Sequence, residues 1–223
     1  MPQFKLFVAP GSCARVPTIA LEEIGVPFET ELVRTAAGQQ KSPDDLKVNP
    51  KGKVPVLVVD DEVLTENVAI LSWLAGTYPE AGLLPETGRS LDASRQIADL
   101  AFFAGTVHPM VTRVAMPMKF IEDAERSFEL VRPKGMADIT ATLRMIEDRL
   151  DPWWYGAEWS ILDGYLFWGW WRLTGVGYPP DDFPKLERHA ALSRARPAVA
   201  RTMEREAVYV EQLKAEGNYR APR

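Results

Sequence analysis

The stretch from Asn49 to Leu71 constrains the fold more than any other part of the chain. It begins with the turn dipeptides Asn-Pro and Lys-Gly, passes Pro55 and enters the apolar run Val56–Val59. A β-branched run of this length is typical of a strand that is buried on both faces. A hairpin and a second strand follow, and a helix is expected to begin near Asn67. The stretch therefore predicts a turn, two paired strands and a helix.

Two features of this stretch indicate a ligand site. Pro55 is expected at the first position of its strand, and an X-Pro bond there can be cis, which turns the preceding backbone outward. The N–H and C=O groups of Val54 are then available to a peptide-like ligand. Glu66 and Asn67 bring a carboxylate and an amide to a helix start, where unpaired N–H groups attract anions. The site suits a ligand with both an ammonium and a carboxylate.

The pattern Asn-Pro-x-Gly-x-Val-Pro, with Thr-Glu-Asn-x-Ala-Ile after it, resembles the glutathione-binding half of the glutathione S-transferase family. The resemblance implies that Pro55 is cis and that Val54 pairs with the cysteinyl backbone of glutathione. It implies that Glu66 and Asn67 hold the γ-glutamyl end, although serine is usual at the second position. Lys53 is a candidate for the glycyl carboxylate, or a solvated lysine beside a turn. The alternative to the resemblance is a generic βαββα domain with a capped helix.

The preceding residues complete an α/β domain. Residues 5–8 predict a strand, apolar spacing from Val16 to Ile24 predicts a helix, and Phe28–Val33 predicts a second strand. A weak helix is expected at Pro43–Val48, after a polar loop. The order βαβαββα is that of a thioredoxin-like domain, which we place at residues 1–78.

Residues 79–88 are dense in proline and glycine and are predicted to form a linker. Residues 89–223 carry no strand signal, so an all-helical C-terminal domain is expected there, forming the second-substrate pocket. Ser160 and Asp163 have the spacing of a capping box ahead of a helix that is apolar on all sides and therefore buried. This box is a second mark of the transferase family.

The turn after the first strand carries the candidates for chemistry. The pattern Pro-Gly-x-Cys, with Pro-x-Ile-Ala-Leu behind it, is similar to the bacterial beta class, whose cysteine matches Cys13. Serine-type classes carry their active hydroxyl near the same turn, so Ser12 is the alternative. A free thiol titrates near a pKa of ~8.5, and a helix N-terminus or a hydroxyl donor favours the thiolate. Cys13 can also form a mixed disulfide with glutathione. The structural alternatives are an inert thiol and a helix-capping serine.

His108, Arg113 and Met116 are candidates for the second-substrate pocket. They lie in or just beyond a long helix expected over residues 89–115, with a kink at Pro109. A histidine near this place faces the active site in beta-class proteins, and the other two residues follow at helical spacing. A packed helix histidine and a surface arginine are the alternatives.

Composition excludes several other functions. The formal net charge is −5 and neither part of the chain has a basic surplus, which argues against nucleic acid and anionic membranes as partners. No apolar run is long enough to span a bilayer, and no leader pattern is seen. One cysteine excludes an intrachain disulfide framework, and two distant histidines lack metal spacing, so no metal is expected. A cytoplasmic location is expected.

The resemblance implies a glutathione transferase with glutathione as co-substrate and a small hydrophobic electrophile as second substrate. The reaction is thiolate attack on an electrophilic carbon, or a glutathione-dependent reduction through Cys13. Family members are usually homodimers. The alternative is a transferase-fold binding or regulatory module without catalysis.

Overall fold

Four short strands within the first 65 residues form one mixed sheet in the computed structural model, which describes residues 2–221. The strands are β1 (Phe4–Val8), β2 (Phe28–Leu32), β3 (Val56–Val59) and β4 (Glu62–Thr65). Their order in the sheet is β2-β1-β3-β4, with β1 parallel to β2 and antiparallel to β3, and β3 antiparallel to β4. The paired strands around Pro55 are therefore confirmed.

Three helices accompany this sheet, namely α1 (Arg15–Ile24), α2 (Pro43–Val48) and α3 (Asn67–Thr77). The predicted βαβαββα order is confirmed, and the arrangement is thioredoxin-like. The apolar face of α1 is buried as expected, and Gly25 ends that helix in the left-handed conformation, at φ 76°. The polar loop before α2 contains two 3₁₀ turns, Thr35–Ala37 and Gln39–Lys41.

Residues 84–194 form a second compact unit built from helices. These are α4 (Ser90–Phe102), α5 (His108–Ala115), the short α6 (Ala124–Arg126), α7 (Arg132–Arg149), α8 (Ile161–Thr174) and α9 (Pro184–Ala195). The expected all-helical architecture is confirmed. Helix α8 is buried along nearly its whole length, as its apolar sequence predicts.

The capping box at the start of α8 is present with both of its hydrogen bonds. The buried Asp163 carboxylate accepts from the Ser160 N–H at 2.8 Å and from the Trp154 N–H at 2.7 Å. The same carboxylate accepts a hydrogen bond from the Ser160 hydroxyl at 3.0 Å, and its other oxygen is 3.0 Å from His189 Nε2. One carboxylate therefore fixes the helix start, the preceding loop and α9.

The helix expected over residues 89–115 is interrupted where the kink was predicted. Helix α4 passes into a π-helical segment, Phe103–Val107, and α5 begins at His108, one residue before Pro109. Proline cannot donate an intrahelical hydrogen bond, and its ring crowds the preceding turn, so a wider turn accommodates it. A second π segment, Ser127–Val131, precedes Pro133 in the same way.

The last helix, α10 (Pro197–Ala215), packs with the N-terminal unit, so that unit comprises residues 2–83 and 195–221. The predicted domain of residues 89–223 differs from this division. The physical reason is a set of ion pairs and hydrogen bonds that join α10 and its two flanking residues to α1, β2 and the following loop: Glu22 with Arg201 and Arg205, Glu23 with Arg196, Arg34 with Glu216, and Thr30 with Tyr209. Partners so far apart leave no local sequence pattern.

Within residues 2–221, none of the helices combines the length and hydropathy needed to cross a membrane.

Candidate functional site

The turn between β1 and α1 commits the Ser12 hydroxyl to the backbone. Ser12 Oγ donates to the Ala9 carbonyl at 2.6 Å and accepts from the Ala14 N–H at 3.3 Å. The Ser12 N–H closes the same turn on the Ala9 carbonyl at 3.0 Å. The hydroxyl proton is thus already used within the turn, which matches the capping alternative considered for this residue.

Cys13 lies next to the residue predicted to pair with a ligand backbone. Its half-buried Sγ is 3.8 Å from the carbonyl oxygen of Val54, a weak thiol hydrogen bond. The Cys13 carbonyl accepts from Asn67 Nδ2 at 3.1 Å. Cys13 also directly precedes Ala14, the N-cap of α1, where the helix dipole favours an anion. The structure therefore brings Cys13, Val54 and Asn67 together.

The Val54-Pro55 peptide bond is cis, as the sequence predicts. Pro55 is buried, while Val54 is half-buried and lies just outside the ladder that begins at Val56. Neither pairing of β3 includes Val54, so its backbone groups are not used by the described sheet.

Helix α3 begins with an uncapped end. Its N-cap residue, Glu66, has a φ of 73° and makes no capping hydrogen bond with its side chain. The exposed Glu66 carboxylate instead accepts from Lys51 Nζ at 2.7 Å, and the same ammonium donates to Thr65 Oγ1 at 3.0 Å. The Glu66 side chain therefore does not accept from the first N–H groups of α3. The N-terminus of this helix is a favourable place for the carboxylate of a ligand.

Asn67 is buried, and its two side-chain atoms differ in their surroundings. Its Nδ2 donates to Cys13, as described, while Oδ1 is buried without a hydrogen-bond partner among the described residues. A buried acceptor of this kind costs free energy unless a donor reaches it. Asn67 thus offers one acceptor next to the Cys13 turn.

Lys53 is exposed, and its carbonyl accepts from Asn49 Nδ2 at 2.7 Å. A small cavity beside Val54 is lined by Phe7, Val33, Gln40, Asp45, Val48, Asn49, Lys53 and Val56. Neither Lys51 nor Gln40 is among the site residues that the sequence predicts. The turn pattern at 49–53 indicated a bend, but not that Lys51 would reach Glu66.

The three remaining candidates lie on or next to α5 in the helical unit. His108 Nδ1 is 3.2 Å from the Tyr165 hydroxyl, and the His108 ring stands edge-on to Trp168 at a centroid distance of 4.6 Å. The exposed Arg113 lies over the ring of Phe120 at 5.9 Å. Met116 is the C-cap of the helix. His108 therefore belongs to a cluster of aromatic rings, whereas Arg113 is at the surface of this unit.

No group of three or more His, Cys, Asp or Glu residues in the described part of the chain has the geometry to hold a metal ion.

Comparison with known proteins identifies relatives of this architecture. The family model described as "Glutathione S-transferase, N-terminal domain" matches residues 11–77, which include the Cys13 turn and the start of α3. Glutathione S-transferase GST-4.5 of Xanthomonas campestris pv. campestris is 37% identical over 174 residues, covering 73% of this chain and 79% of that protein.

Two solved structures resemble nearly the whole chain. A glutathione transferase homologue from Sulfitobacter, with bound glutathione, superposes with a TM-score of 0.81 at 29% identity, covering 92% of this chain and 99% of that one. A beta class glutathione S-transferase of Sphingomonas chungbukensis gives a TM-score of 0.77 at 32% identity, covering 91% of this chain and 98% of that one.

Proposed function

Because the chain belongs to the glutathione S-transferase family and is a glutathione transferase, we propose that Cys13 contacts the sulfur of bound glutathione. The observation that carries this proposal is the 3.8 Å contact between Cys13 Sγ and the Val54 carbonyl. Val54 is the proposed partner of the cysteinyl backbone of glutathione, so a sulfur held there comes close to the Cys13 thiol. Ser12 is less suitable because its proton is held in a 2.6 Å hydrogen bond to the Ala9 carbonyl, which is far stronger than the 3.8 Å thiol contact of Cys13.

Glutathione is the co-substrate, and its ends are proposed to lie along α3 and the turn before β3. The γ-glutamyl carboxylate faces the first N–H groups of α3, and its ammonium replaces Lys51 at Glu66. The Lys51–Glu66 pair is half exposed, so the exchange costs little. Asn67 Oδ1 accepts from a ligand N–H group. Lys53 attracts the glycyl carboxylate.

The proposed chemistry starts from a thiolate of glutathione whose negative charge is stabilised by the Cys13 S–H and the N-terminus of α1. In conjugation, the thiolate forms a bond to an electrophilic carbon and the leaving group departs with its electron pair. In reduction, the Cys13 thiolate attacks a disulfide that contains glutathione, forming a mixed disulfide and releasing the other thiolate. A glutathione thiolate then attacks that mixed disulfide, which yields oxidised glutathione and restores Cys13.

The second substrate is proposed to be a small hydrophobic electrophile bound by His108, Arg113 and Met116. The buried rings of Tyr165 and Trp168 give the half-buried His108 apolar surroundings, which support a hydrophobic substrate. Nothing in the comparisons favours the non-catalytic alternative.

A homodimer and a cytoplasmic location complete the proposal. Each unit exposes apolar side chains that a second copy could cover: Val63 and Trp73 in the N-terminal unit, and Leu91 and Ile97 in the helical unit. Sedimentation velocity is expected to give the mass of two chains, and replacement of Trp73 by Glu is expected to shift it towards one.

Two single variants test the catalytic assignment. Cys13→Ala is expected to abolish disulfide reduction and the glutathione adduct seen by mass spectrometry, whereas Ser12→Ala retains both. The opposite result would contradict the assignment. Ser12→Ala would then slow conjugation and raise the pKa of the bound glutathione thiol, while Cys13→Ala would keep full activity in conjugation and in disulfide reduction. Ser12 would then be the sulfur contact.

A further inference from the structure

The turn that carries Cys13 is tied to the C-terminal helix by one carboxylate. Glu206 of α10 accepts from the Gly11 N–H through Oε2 at 3.1 Å. The same carboxylate accepts from Arg15 Nε at 3.0 Å and from the second guanidinium nitrogen at 2.6 Å. Residues on both sides of Cys13, at 11 and 15, therefore share one partner almost 200 positions away.

These contacts are shielded from water. The Arg15 side chain is completely buried, and the Glu206 side chain is 15% exposed. A buried guanidinium requires a partner charge, because removing an unpaired charge from water is strongly unfavourable. The bidentate geometry also fixes the direction of the carboxylate, so its Oε2 is held towards Gly11.

Gly11 is the residue of the turn that most needs support. Its φ of 72° lies in the left-handed region, which allows the chain to reverse between β1 and α1. Its N–H points to Glu206, while the next two residues supply the Ser12 hydroxyl and the Cys13 thiol. A contact at Gly11 therefore determines where those two groups stand.

We propose that Glu206 is a positioning residue for Cys13, acting through the Gly11 N–H, and that the active site of this transferase extends to its C-terminal helix. This inference rests on the proposed role of Cys13 as the sulfur contact. Glu206 touches no reacting atom in it. Arg15 serves to orient and neutralise the Glu206 carboxylate.

A pair of double variants separates positioning from folding. In Arg15→Met with Glu206→Leu, an apolar pair replaces the ion pair, an exchange that buried pairs often tolerate without loss of stability. In Arg15→Met with Glu206→Gln, the ion pair is also gone, but the glutamine oxygen still accepts from Gly11. The two double variants therefore differ in whether residue 206 can accept a hydrogen bond from the Gly11 N–H.

The measurement is the rate at which iodoacetamide alkylates Cys13 in the full chain without glutathione. Cys13 is the only cysteine of the chain, so the reaction has no background. At neutral pH, the Leu variant is expected to react about fivefold more slowly than the Gln variant, the equivalent of one lost hydrogen bond of about 1 kcal/mol. At a pH where all thiol is ionised, the two rates are expected to converge, since the turn acts on thiolate stability and not on access.

Glu22→Gln is the matched control. Glu22 also joins α1 to α10, through Arg201 and Arg205, but it lies away from the turn. This variant is expected to lower the melting temperature and leave the alkylation profile unchanged.

Equal profiles for the Leu and Gln variants, or a faster Leu variant, would overturn the proposal. A slower reaction in Glu22→Gln as well would also overturn it, because loosened helix docking would then explain the effect. Alkylation involves no glutathione, so these results are independent of whether Cys13 turns over substrate.

Discussion

The start of α8 and the Cys13 turn are two helix entrances that differ in their burial and in the origin of their contacts. The α8 entrance uses a local box, Ser160 and Asp163, which is fully buried and reinforced by Trp154 and His189. The Cys13 turn is half-buried, and its local Ser12–Ala9 hydrogen bonds are supplemented by contacts from positions far along the chain.

The comparison indicates that the α8 entrance serves stability and the Cys13 turn serves reactivity. A buried carboxylate with four donors around it is costly to disturb, and it leaves no atom for a ligand. A turn that combines local hydrogen bonds with contacts from separate segments keeps a sulfur accessible while fixing its position. The first arrangement suits folding, and the second suits chemistry.

The largest expected effect is at the α8 entrance. Asp163→Ala leaves buried donors at Ser160, Trp154 and His189 without an acceptor, and we expect a loss of about 3 kcal/mol or more in unfolding free energy. Urea unfolding followed by tryptophan fluorescence measures it, with the exposed Asp182 replaced by Ala as control. An unchanged midpoint and refolding yield would break the comparison, because the box would then carry no stability.

The next effect concerns binding. Glu66→Ala is expected to weaken glutathione affinity by about 1–3 kcal/mol, because the γ-glutamyl ammonium loses a charged acceptor. Lys51→Ala is the control, and it should bind glutathione at least as well, since Lys51 occupies the same carboxylate.

Titration calorimetry with glutathione and with cysteinylglycine completes this test. The dipeptide, which lacks the γ-glutamyl group, should bind weakly to the wild type and lose little more in Glu66→Ala. An equal further loss for both ligands would remove Glu66 from the site.

A smaller effect is expected at Asn67. Asn67→Ala deletes the hydrogen bond to the Cys13 carbonyl, but it also removes a buried acceptor that has no partner within residues 2–221, so the two consequences partly cancel. We expect the unfolding free energy to fall by about 0.5–1 kcal/mol, which is well below the loss expected for Asp163→Ala. Denaturant unfolding in the absence of glutathione measures it. A loss as large as that of Asp163→Ala would show that the two entrances are supported alike.

The smallest effect is the acid sensitivity of α10. Hydrogen bonds from Arg34 and then Gln212 lower the pKa of Glu216 to about 2. Because the folded pKa lies below the ordinary value near 4.3, the contact stabilises the fold above that pH and is lost as the pH falls towards 2. Glu216→Gln should flatten the dependence of melting temperature on pH in this window. An unchanged slope would show that the Arg34 contact adds no pH-dependent stability.

The sequence was most informative where the contacts are local. Strand and helix order, the cis bond before Pro55 and the Ser160–Asp163 box all depend on residues within a few positions of one another, and these predictions are confirmed. The interruption of the long helix was also readable from Pro109, although the π-helical form of that interruption was not.

The predictions were least complete where partners are distant. No local pattern indicates that Glu206 meets Arg15, or that α10 belongs with the N-terminal unit. The turn residues around Lys51 predict a bend, but they do not predict that its side chain reaches Glu66. Such pairings are decided by packing, so they require the structure.

The ion pair between Arg15 and Glu206 also has a consequence for synthesis. The two residues are 191 positions apart, and a ribosome adds about 5–20 residues per second, so Arg15 waits roughly 10–40 s for its counter-charge. Until α10 emerges, the nascent N-terminal unit carries a guanidinium that it cannot bury. The thiol turn of the nascent chain is therefore completed only after the ribosome has synthesised α10.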